Sequence, residues 1–254
     1  MDSGKVYLVR KILVLSDLQI PYHDPVAINS VLKFIKSERP HELWCVGDEL
    51  DAPEPSRWNK GMAGEYAPTL QNSIDLTYNI MADFRDALGR NKPFIIQRSN
   101  HTDRIQTYIR KYAPAFSTLD TLRIEELLGY NSLRIQYLHK FKELLPGWVM
   151  AHGDEGRAIQ VPGSTAMSLA KKLGKSVVCG HTHKLGLQHE TTGLYGKNRT
   201  LFGLEVGHMM DMKQASYLTS GIANWQQGVG MLIEHKRKVT PYAIPIIDGE
   251  IRIP

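Results

Sequence analysis

Three short apolar runs in the first 112 residues are each followed by a segment whose apolar side chains recur at helical spacing. A short apolar run is typical of a buried strand, and a spacing of three and four residues is typical of a helix that buries one face. Repeated strand–helix units favour a layered α/β fold. The predicted strands are 11–16, 43–46 and 94–97, and the predicted helices are 24–37, 65–88 and 104–112.

The pattern is looser beyond residue 113. Residues 114–146 combine a loop, a short helix and short strands, and the last seventy residues alternate turn residues with strands. We expect this half to form a second sheet with antiparallel pairing. No repeat of fixed period and no low-complexity linker interrupts the sequence, so one domain over 1–254 is predicted. Further predicted elements are strands 148–151, 176–179, 228–235 and 242–247, and a helix over 163–174.

Composition excludes several classes of protein. With 42% hydrophobic and 22% charged residues, the chain resembles an ordinary folded domain and not a disordered or collagen-like one. It contains no apolar run of about 20 residues and no secretory signal, so we expect a soluble intracellular protein without a membrane partner. The net charge of +5 suits a polyanionic partner such as nucleic acid without requiring one. Cys45 and Cys179 lie in apolar runs, which predicts core positions and no disulfide.

Five polar residues follow the predicted strands directly or within a few residues. Ligands of layered α/β proteins bind beyond the carboxyl ends of the strands, so these side chains are expected to converge. Taken singly, a Ser-Asp or Gly-Asp pair is an ordinary turn or helix cap, and the prediction therefore rests on the five together. The five are Asp17, Asp48, Asn100, His152 and His181, with Gln19, His101 and His183 close beside them.

These eight side chains offer the oxygen and nitrogen donors needed to hold two divalent metal ions. Only two of them carry charge, because histidine, asparagine and glutamine are neutral ligands. Two dications with a bridging hydroxide would therefore leave a net positive cluster, which attracts phosphate. A pair of metal ions about 3.5–4 Å apart is a recognised solution for in-line attack on phosphorus.

The five segments resemble, in order and spacing, the motifs of the calcineurin-like metallophosphoesterase superfamily, which run D-x-H, G-D-x-x-[DE], G-N-H-[DE], H and G-H-x-H. The resemblance covers residues 11–190. It implies a two-sheet β-sandwich core flanked by helices, a four-layer α/β/β/α arrangement. In this chain the motifs are DLQ from Asp17, GDELD from Gly47, SNHT from Ser99, HGD from His152 and GHTH from Gly180.

The resemblance also implies a role for each motif residue. Asp48 would bridge the two metal ions, and His101 would protonate the departing alkoxide as a general acid, a role suited to an imidazole near neutral pH. The implied ligands of the first ion are Asp17, Gln19, Asp48 and His183, and those of the second are Asp48, Asn100, His152 and His181.

Two departures from the family pattern alter these expectations. Gln19 replaces a histidine, which exchanges nitrogen for an amide oxygen and favours harder ions, Mn²⁺ above all, with Mg²⁺, Fe, Zn and Ni as alternatives. Ser99 and Thr102 replace the residues that flank the third motif, so a carboxylate that orients His101 would have to come from Asp51 or Asp103. Phage-encoded members of the superfamily are similar in carrying the glutamine, which implies action in the host cytoplasm.

Substrate contacts are predicted in the loops around the motifs. Arg57, Trp58 and Arg104 could clamp a phosphate and stack a base. A basic helix start and a tryptophan that covers the core would explain these three residues equally well. His23, a loop histidine next to Pro21 and Asp24, could likewise face either the substrate or only solvent. The candidates are His23, Arg57, Trp58 and Arg104.

The function expected from these observations is hydrolysis of nucleotide-type phosphodiesters, including cyclic nucleotides, by metal-held hydroxide. A phosphomonoesterase acting on nucleotides or proteins and a metal-dependent nuclease are alternatives, because the reacting phosphorus is alike in all three. Lysines and arginines are spread along the sequence, which weakens the nuclease alternative. A scaffold that has lost the chemistry is a further alternative, supported only by Gln19 and the altered flanks of His101.

Overall fold

The computed structural model describes residues 9–57, 59–67, 69–214 and 223–251. Within these ranges the helices are α1 (Pro25–Glu38), α2 (Leu70–Leu88), α3 (Arg104–Tyr112), α4 (Ile124–Leu127) and α5 (Ser164–Leu173). The strands are β1 (Arg10–Leu15), β2 (Glu42–Cys45), β3 (Phe94–Gln97), β4 (Gln136–Leu138), β5 (Lys142–Leu145), β6 (Trp148–Met150), β7 (Ser176–Cys179), β8 (Leu185–Leu194), β9 (Lys197–Val206), β10 (Gly228–His235), β11 (Lys238–Ile247) and β12 (Glu250–Ile251).

The first sheet has seven strands in the order β12-β11-β10-β1-β2-β3-β4. Strands β1 to β4 run parallel to one another, and β10 pairs antiparallel with β1. The connections from β1 to β2 and from β2 to β3 pass through α1 and α2, as the predicted strand–helix units require. The carboxyl ends of β1, β2 and β3 therefore lie side by side at one edge of the sheet.

The second sheet has five strands in the order β5-β6-β7-β9-β8. The prediction that its pairing is antiparallel is only partly correct, because β6, β7 and β9 run parallel and only the outer strands are antiparallel. The assignment of 228–235 and 242–247 to this sheet is wrong, since β10 and β11 join the first sheet. Residues 228–232 are all buried. Val229 and Met231 pack in the core under α1 and α2, and Leu232 packs against the second sheet, so both faces of β10 are covered beside β1.

The side chains of β1 alternate between two cores, as the period of a strand dictates. Leu13 and Leu15 pack with the buried faces of α1 and α2, whereas Ile12 and Val14 pack against the second sheet. Helix α5 covers the other face of the second sheet. The four layers are thus helices, first sheet, second sheet and helix, which confirms the predicted α/β/β/α sandwich.

Acidic side chains satisfy backbone N–H groups at the starts of α1 and α5. Asp24 accepts hydrogen bonds from the first backbone N–H groups of α1, and the buried Glu205 accepts them from Gly163 and Thr165 at the start of α5. Both cysteines are buried and free, as predicted. None of the helices in the described ranges combines the length and the apolar character that crossing a bilayer requires.

Arg85 joins α2 to the segments that precede β3 and β4. Its side chain is buried, and its guanidinium donates hydrogen bonds to the carbonyl oxygens of Gly89, Lys92, Leu133 and Arg134 at 2.7–3.1 Å. The planar, five-donor guanidinium is suited to satisfying several carbonyls at once. Arg85 therefore helps to hold β3, which carries Asn100 and His101 at its end.

Replacing Arg85 by methionine keeps the aliphatic length but removes the guanidinium donors from these carbonyls. We expect Arg85→Met to lower the free energy of unfolding by about 3 kcal/mol, measured by urea denaturation. Arg90→Met, at an exposed position beside it, is the matched control. A loss for Arg85→Met no larger than that of the control would contradict the role assigned to the buried guanidinium.

Candidate metal centre

Side chains from both sheets meet at one end of the sandwich. Asp17, Asp48 and Asn100 follow β1, β2 and β3 of the first sheet, and His152 and His181 follow β6 and β7 of the second. The loops after β1 and β2 are joined by backbone hydrogen bonds from Asp17 to Gly47 and from Gln19 to Asp48, at 3.0 and 2.9 Å. The convergence predicted from the strand ends is present.

Many of the predicted ligands have a backbone conformation that L-residues seldom adopt. Their φ angles are positive, between 49° and 70°, although none of them is glycine. Such left-handed conformations cost about 1–2 kcal/mol per residue and concentrate at functional sites. The strained backbone turns these side chains out of the strand direction. The residues concerned are Asp17, Gln19, Asp48, His181 and His183.

One group of ligand atoms surrounds Asp48. Ligand atoms of Asp48, His152 and His181 all lie within 4.8 Å of one another, a spacing at which they can hold one ion. His152 Nδ1 donates a hydrogen bond to the Val46 carbonyl at 2.8 Å, so its Nε2 faces the group, 2.8 Å from Asn100 Oδ1. This backbone contact fixes the ring orientation in the way typical of metal-ligating histidines.

A second group surrounds Asp17. His183 Nε2 lies 3.1 Å from Asp17 Oδ1 and 3.2 Å from Gln19 Nε2. Gln19 Nε2 also donates to Asp48 Oδ2 at 3.3 Å, so the two groups are contiguous through Asp48. The seven predicted ligands therefore form one connected cluster with Asp48 in its middle. Their service as ligands stays a prediction.

The two buried carboxylates remain charged because imidazoles surround them. Burial raises the pKa of Asp48, but His101 and His152 outweigh it and hold that pKa well below its usual range. The same interactions, against the effect of burial, raise the pKa of His152 to about 10. Without metal ions, a proton on His152 thus balances the Asp48 carboxylate, and a bound divalent ion would replace that proton.

The hydrogen bonding of the cluster is incomplete in the way that suits cations. Several buried donor and acceptor atoms have no hydrogen-bond partner, and buried polar atoms are normally paired. Together with the mixture of carboxylate, amide and imidazole donors, they fit divalent metal ions. The unpartnered atoms of the cluster include Gln19 Oε1, His181 Nδ1 and His183 Nδ1.

His101 lies at the edge of the cluster, with Nε2 3.9 Å from Asp48 Oδ2. Its Nδ1 donates to the carboxylate of Asp51, so of the two candidates for an orienting acid the structure places Asp51 there. Asp103 instead pairs with Arg98 and Arg110. The aspartate thus holds the ring with Nε2 turned toward the cluster.

The hydroxyl of Ser99 has a role that the sequence did not reveal. Ser99 Oγ accepts a hydrogen bond from the backbone N–H of Asp48 at 2.8 Å. The backbone N–H of His101 in turn donates to Asp48 Oδ1 at 3.1 Å. The departure from glycine at this motif therefore ties the third motif to the second.

A cleft of about 830 Å³ opens over the cluster. Arg104 lines it, and its guanidinium donates to His101 Nε2 at 3.0 Å. Its service as a substrate contact stays a prediction. Arg57 lines a neighbouring groove. His23 forms a β-bridge with Met210 and is not among the described residues that line either space. Trp58 lies outside the described residues.

Three residues at the cleft were not singled out from the sequence. Tyr22, Lys184 and Trp225 line it, and the Trp225 ring centroid lies 4.3 Å from that of His183. Lys184 directly follows the last motif, which is a signal that could have identified it, whereas Trp225 lies far along the chain. The buried His208, which the sequence left without a role, lies with its ring centroid 5.3 Å from that of His183.

Gly180 is the contact point between the last motif and the first. A Cβ at this position would overlap Ser16 Oγ and Asp17 Oδ2. We therefore expect Gly180→Ala to displace Asp17 or His181 and to reduce bound metal at least tenfold, measured by isothermal titration with Mn²⁺. Gly156→Ala is the control, because its nearest neighbour is the flexible end of Leu169 at 3.1 Å. Equal metal binding by the two variants would refute this reading.

Comparison with known proteins finds similarity to solved structures and to phage sequences. No protein-family model matches the chain. A Vps29 single mutant from Entamoeba histolytica superposes with a TM-score of 0.47 at 15% identity, covering 95% of this chain and 96% of that one. Vacuolar Protein Sorting 29 from Cryptosporidium parvum gives a TM-score of 0.46 at 14% identity, covering 96% and 95%.

Two phage proteins are similar along nearly their whole sequence. The Gene 54 protein of Mycobacterium phage D29 is 35% identical over 248 residues, 96% of each chain. The Gene 54 protein of Mycobacterium phage L5 is 32% identical, also over 248 residues and 96% of each chain. At this identity and coverage, the chain belongs to the same family as the Gene 54 proteins of these mycobacteriophages.

Proposed function

We propose that this protein is a dinuclear-metal-dependent phosphodiesterase that hydrolyses nucleotide-type phosphodiesters. The observation that carries the proposal is the position of His101, held by Asp51 at the edge of a cluster of metal-type donors. A cluster of ligands alone suits many metal proteins. An imidazole fixed beside it, on the side open to the cleft, suits a reaction in which a leaving group needs a proton.

The composition of the cluster favours phosphate as the group acted upon. Two carboxylates, those of Asp17 and Asp48, are joined by neutral side chains, so a pair of bound dications would keep an excess of positive charge. When bound, two such ions neutralise the phosphoryl oxygens and lower the pKa of a water molecule so that it attacks phosphorus. Mn²⁺ is our proposal for both sites, since oxygen donors from aspartate, asparagine and glutamine favour harder ions.

The chain's own residues then position the substrate and move the proton. The Arg104 guanidinium, 3.0 Å from His101 Nε2, would bind a phosphoryl oxygen. Once Arg104 turns to that oxygen, His101 Nε2 is released toward the ester oxygen that departs. The Asp51 carboxylate holds the opposite nitrogen and favours the protonated ring. Tyr22 and Trp225 form walls of the same cleft and would limit the access of water.

We also propose where the protein acts and how its chain is organised. The relatives are phage proteins, which supports action in the cytoplasm of the infected host. A glutamine at the first motif of those relatives, and a single domain over 1–254, remain predictions.

A panel of bis-aryl and mono-aryl phosphates, 2′,3′- and 3′,5′-cyclic nucleotides and single-stranded DNA with Mn²⁺ tests the substrate class. Faster hydrolysis of the monoesters than of every diester would overturn the proposal.

If His101 protonates the leaving group, its loss is felt most where the leaving group is a poor one. We expect His101→Ala to lower kcat about 10²–10⁴-fold on an alkyl nucleotide diester, and far less on an activated aryl diester, which departs without a proton. Steady-state kinetics on the two substrates measure the difference. His139→Ala, at an exposed histidine, is the control and should leave both rates unchanged. Equal losses on the two substrates would exclude the general-acid role.

If Gln19 holds a metal ion through its amide oxygen, a histidine there restores a nitrogen donor. We expect Gln19→His to retain metal and to raise the preference for Zn²⁺ over Mn²⁺ by about tenfold. Competition titration and metal analysis of the purified protein measure this ratio.

Asp48→Asn should lose bound metal, whereas its control Asp103→Asn should not. An unchanged metal preference in Gln19→His would contradict the ligand role, and fewer than about one ion per wild-type chain would favour a scaffold.

A further inference from the structure

One face of α3 is chemically distinct from the rest of the helix. Positions 104, 107, 108, 111 and 112 fall on the same side at the spacing of helical turns, and they supply two cations and two tyrosines. This face forms one wall of a groove of about 440 Å³. The groove adjoins the cleft over the metal cluster.

The loop that follows the second motif forms the facing wall. Lys60 Nζ donates to the Tyr112 hydroxyl at 2.7 Å and lies 4.5 Å from the centre of its ring. Tyr108 donates to Glu65 Oε1 at 3.2 Å, and the two tyrosine rings lie 4.8 Å apart with their planes at 53°. The tyrosines are thus held as a pair by contacts across the groove.

The charge of the groove is strongly positive. Among the described residues, four cationic side chains line it against the one carboxylate of Glu65. In the sequence the lysines and arginines look evenly spread, but the fold gathers these four from two distant segments. They are Arg57, Lys60, Arg104 and Lys111.

The groove is continuous with the proposed reaction site. Asn100, a predicted metal ligand, lines it, and Ser56 and Arg104 line both the groove and the cleft. Because Arg104 also contacts His101, the groove begins where the leaving group would depart. A substrate that ended at a single phosphodiester would leave this basic surface without a function.

We propose that the groove binds the nucleotides next to the scissile phosphodiester of a single-stranded nucleic acid, which makes the substrate a polynucleotide. This inference rests on the proposed phosphodiesterase function and specifies its substrate. Cations along the walls bind successive phosphates, and the tyrosine pair offers a face for an unstacked base. A duplex keeps its bases stacked on one another, and a polyphosphate has none, so neither uses the tyrosines.

Binding tests the groove independently of hydrolysis. The full-length protein in Mn²⁺ buffer is titrated into fluorescent phosphorothioate oligonucleotides, which resist cleavage, as DNA and RNA of one sequence, and anisotropy is followed. We expect Tyr112→Ala to weaken binding about tenfold and Tyr112→Phe to retain it, because stacking needs only the ring. Lys111→Ala should weaken binding and reduce the salt slope by about 0.7. Lys172→Ala, an exposed lysine on α5, is the control.

Hydrolysis separates this inference from the function on which it rests. We expect the kcat/KM of Lys111→Ala to fall about tenfold more on the oligonucleotide than on a mononucleotide aryl ester. Equal losses on both, or binding of a duplex or of polyphosphate as tight as that of the single strand, would overturn the polynucleotide assignment while leaving the phosphodiesterase intact. A wild-type protein that hydrolyses neither ester nor oligonucleotide would instead refute the proposed function. The anisotropy data would still show whether the groove binds single strands.

Discussion

The rest of the site depends on the contacts that the buried carboxylate of Asp17 makes. It follows the central strand of the first sheet, and its Oδ2 accepts the backbone N–H of His181 at 2.8 Å, so it joins the ends of the two sheets. Burial raises the pKa of Asp17, but His183 together with His152 outweighs burial and leaves that pKa below its usual value. A charge can stay inside the protein only with such partners, and the surrounding imidazoles are therefore part of the structure as much as of the site.

Favourable contacts also offset the backbone strain of the loops that carry Asp17 and Asp48, and small residues next to these loops make the contacts possible. Positive φ angles at Asp17 and Asp48 cost free energy, which the hydrogen bonds between neighbouring loops offset. Gly180 must lack a side chain so that its loop can approach Asp17. Ser99 adds a hydroxyl that holds the Asp48 backbone. The cluster is thus preorganised by the backbone, which suits the proposed binding of ions and phosphate without rearrangement.

Much of the fold could be predicted because its signals are local. The apolar runs that became β1, β2 and β3, and the helical spacing of α1 and α2, need no information from elsewhere in the chain. The placement of β10 could not be predicted, since an apolar strand indicates burial and not which sheet supplies it. In the same way the sequence left the orienting acid of His101 open between Asp51 and Asp103. Only the packing of the loop after β2 against α3 brings Asp51 to the ring.

The sequence by itself determined the donor set, from Asp17 to His183, because residue type and position after a strand are both written along the chain. It also determined the α/β layering, which follows from the period of apolar residues. Only the tertiary structure decided which groups share a space: Asp51 with His101, Trp225 with His183, and Lys60 with Tyr112. These pairs are separated by 42 to 52 residues. Contacts over such distances depend on how the layers pack, which no local pattern encodes.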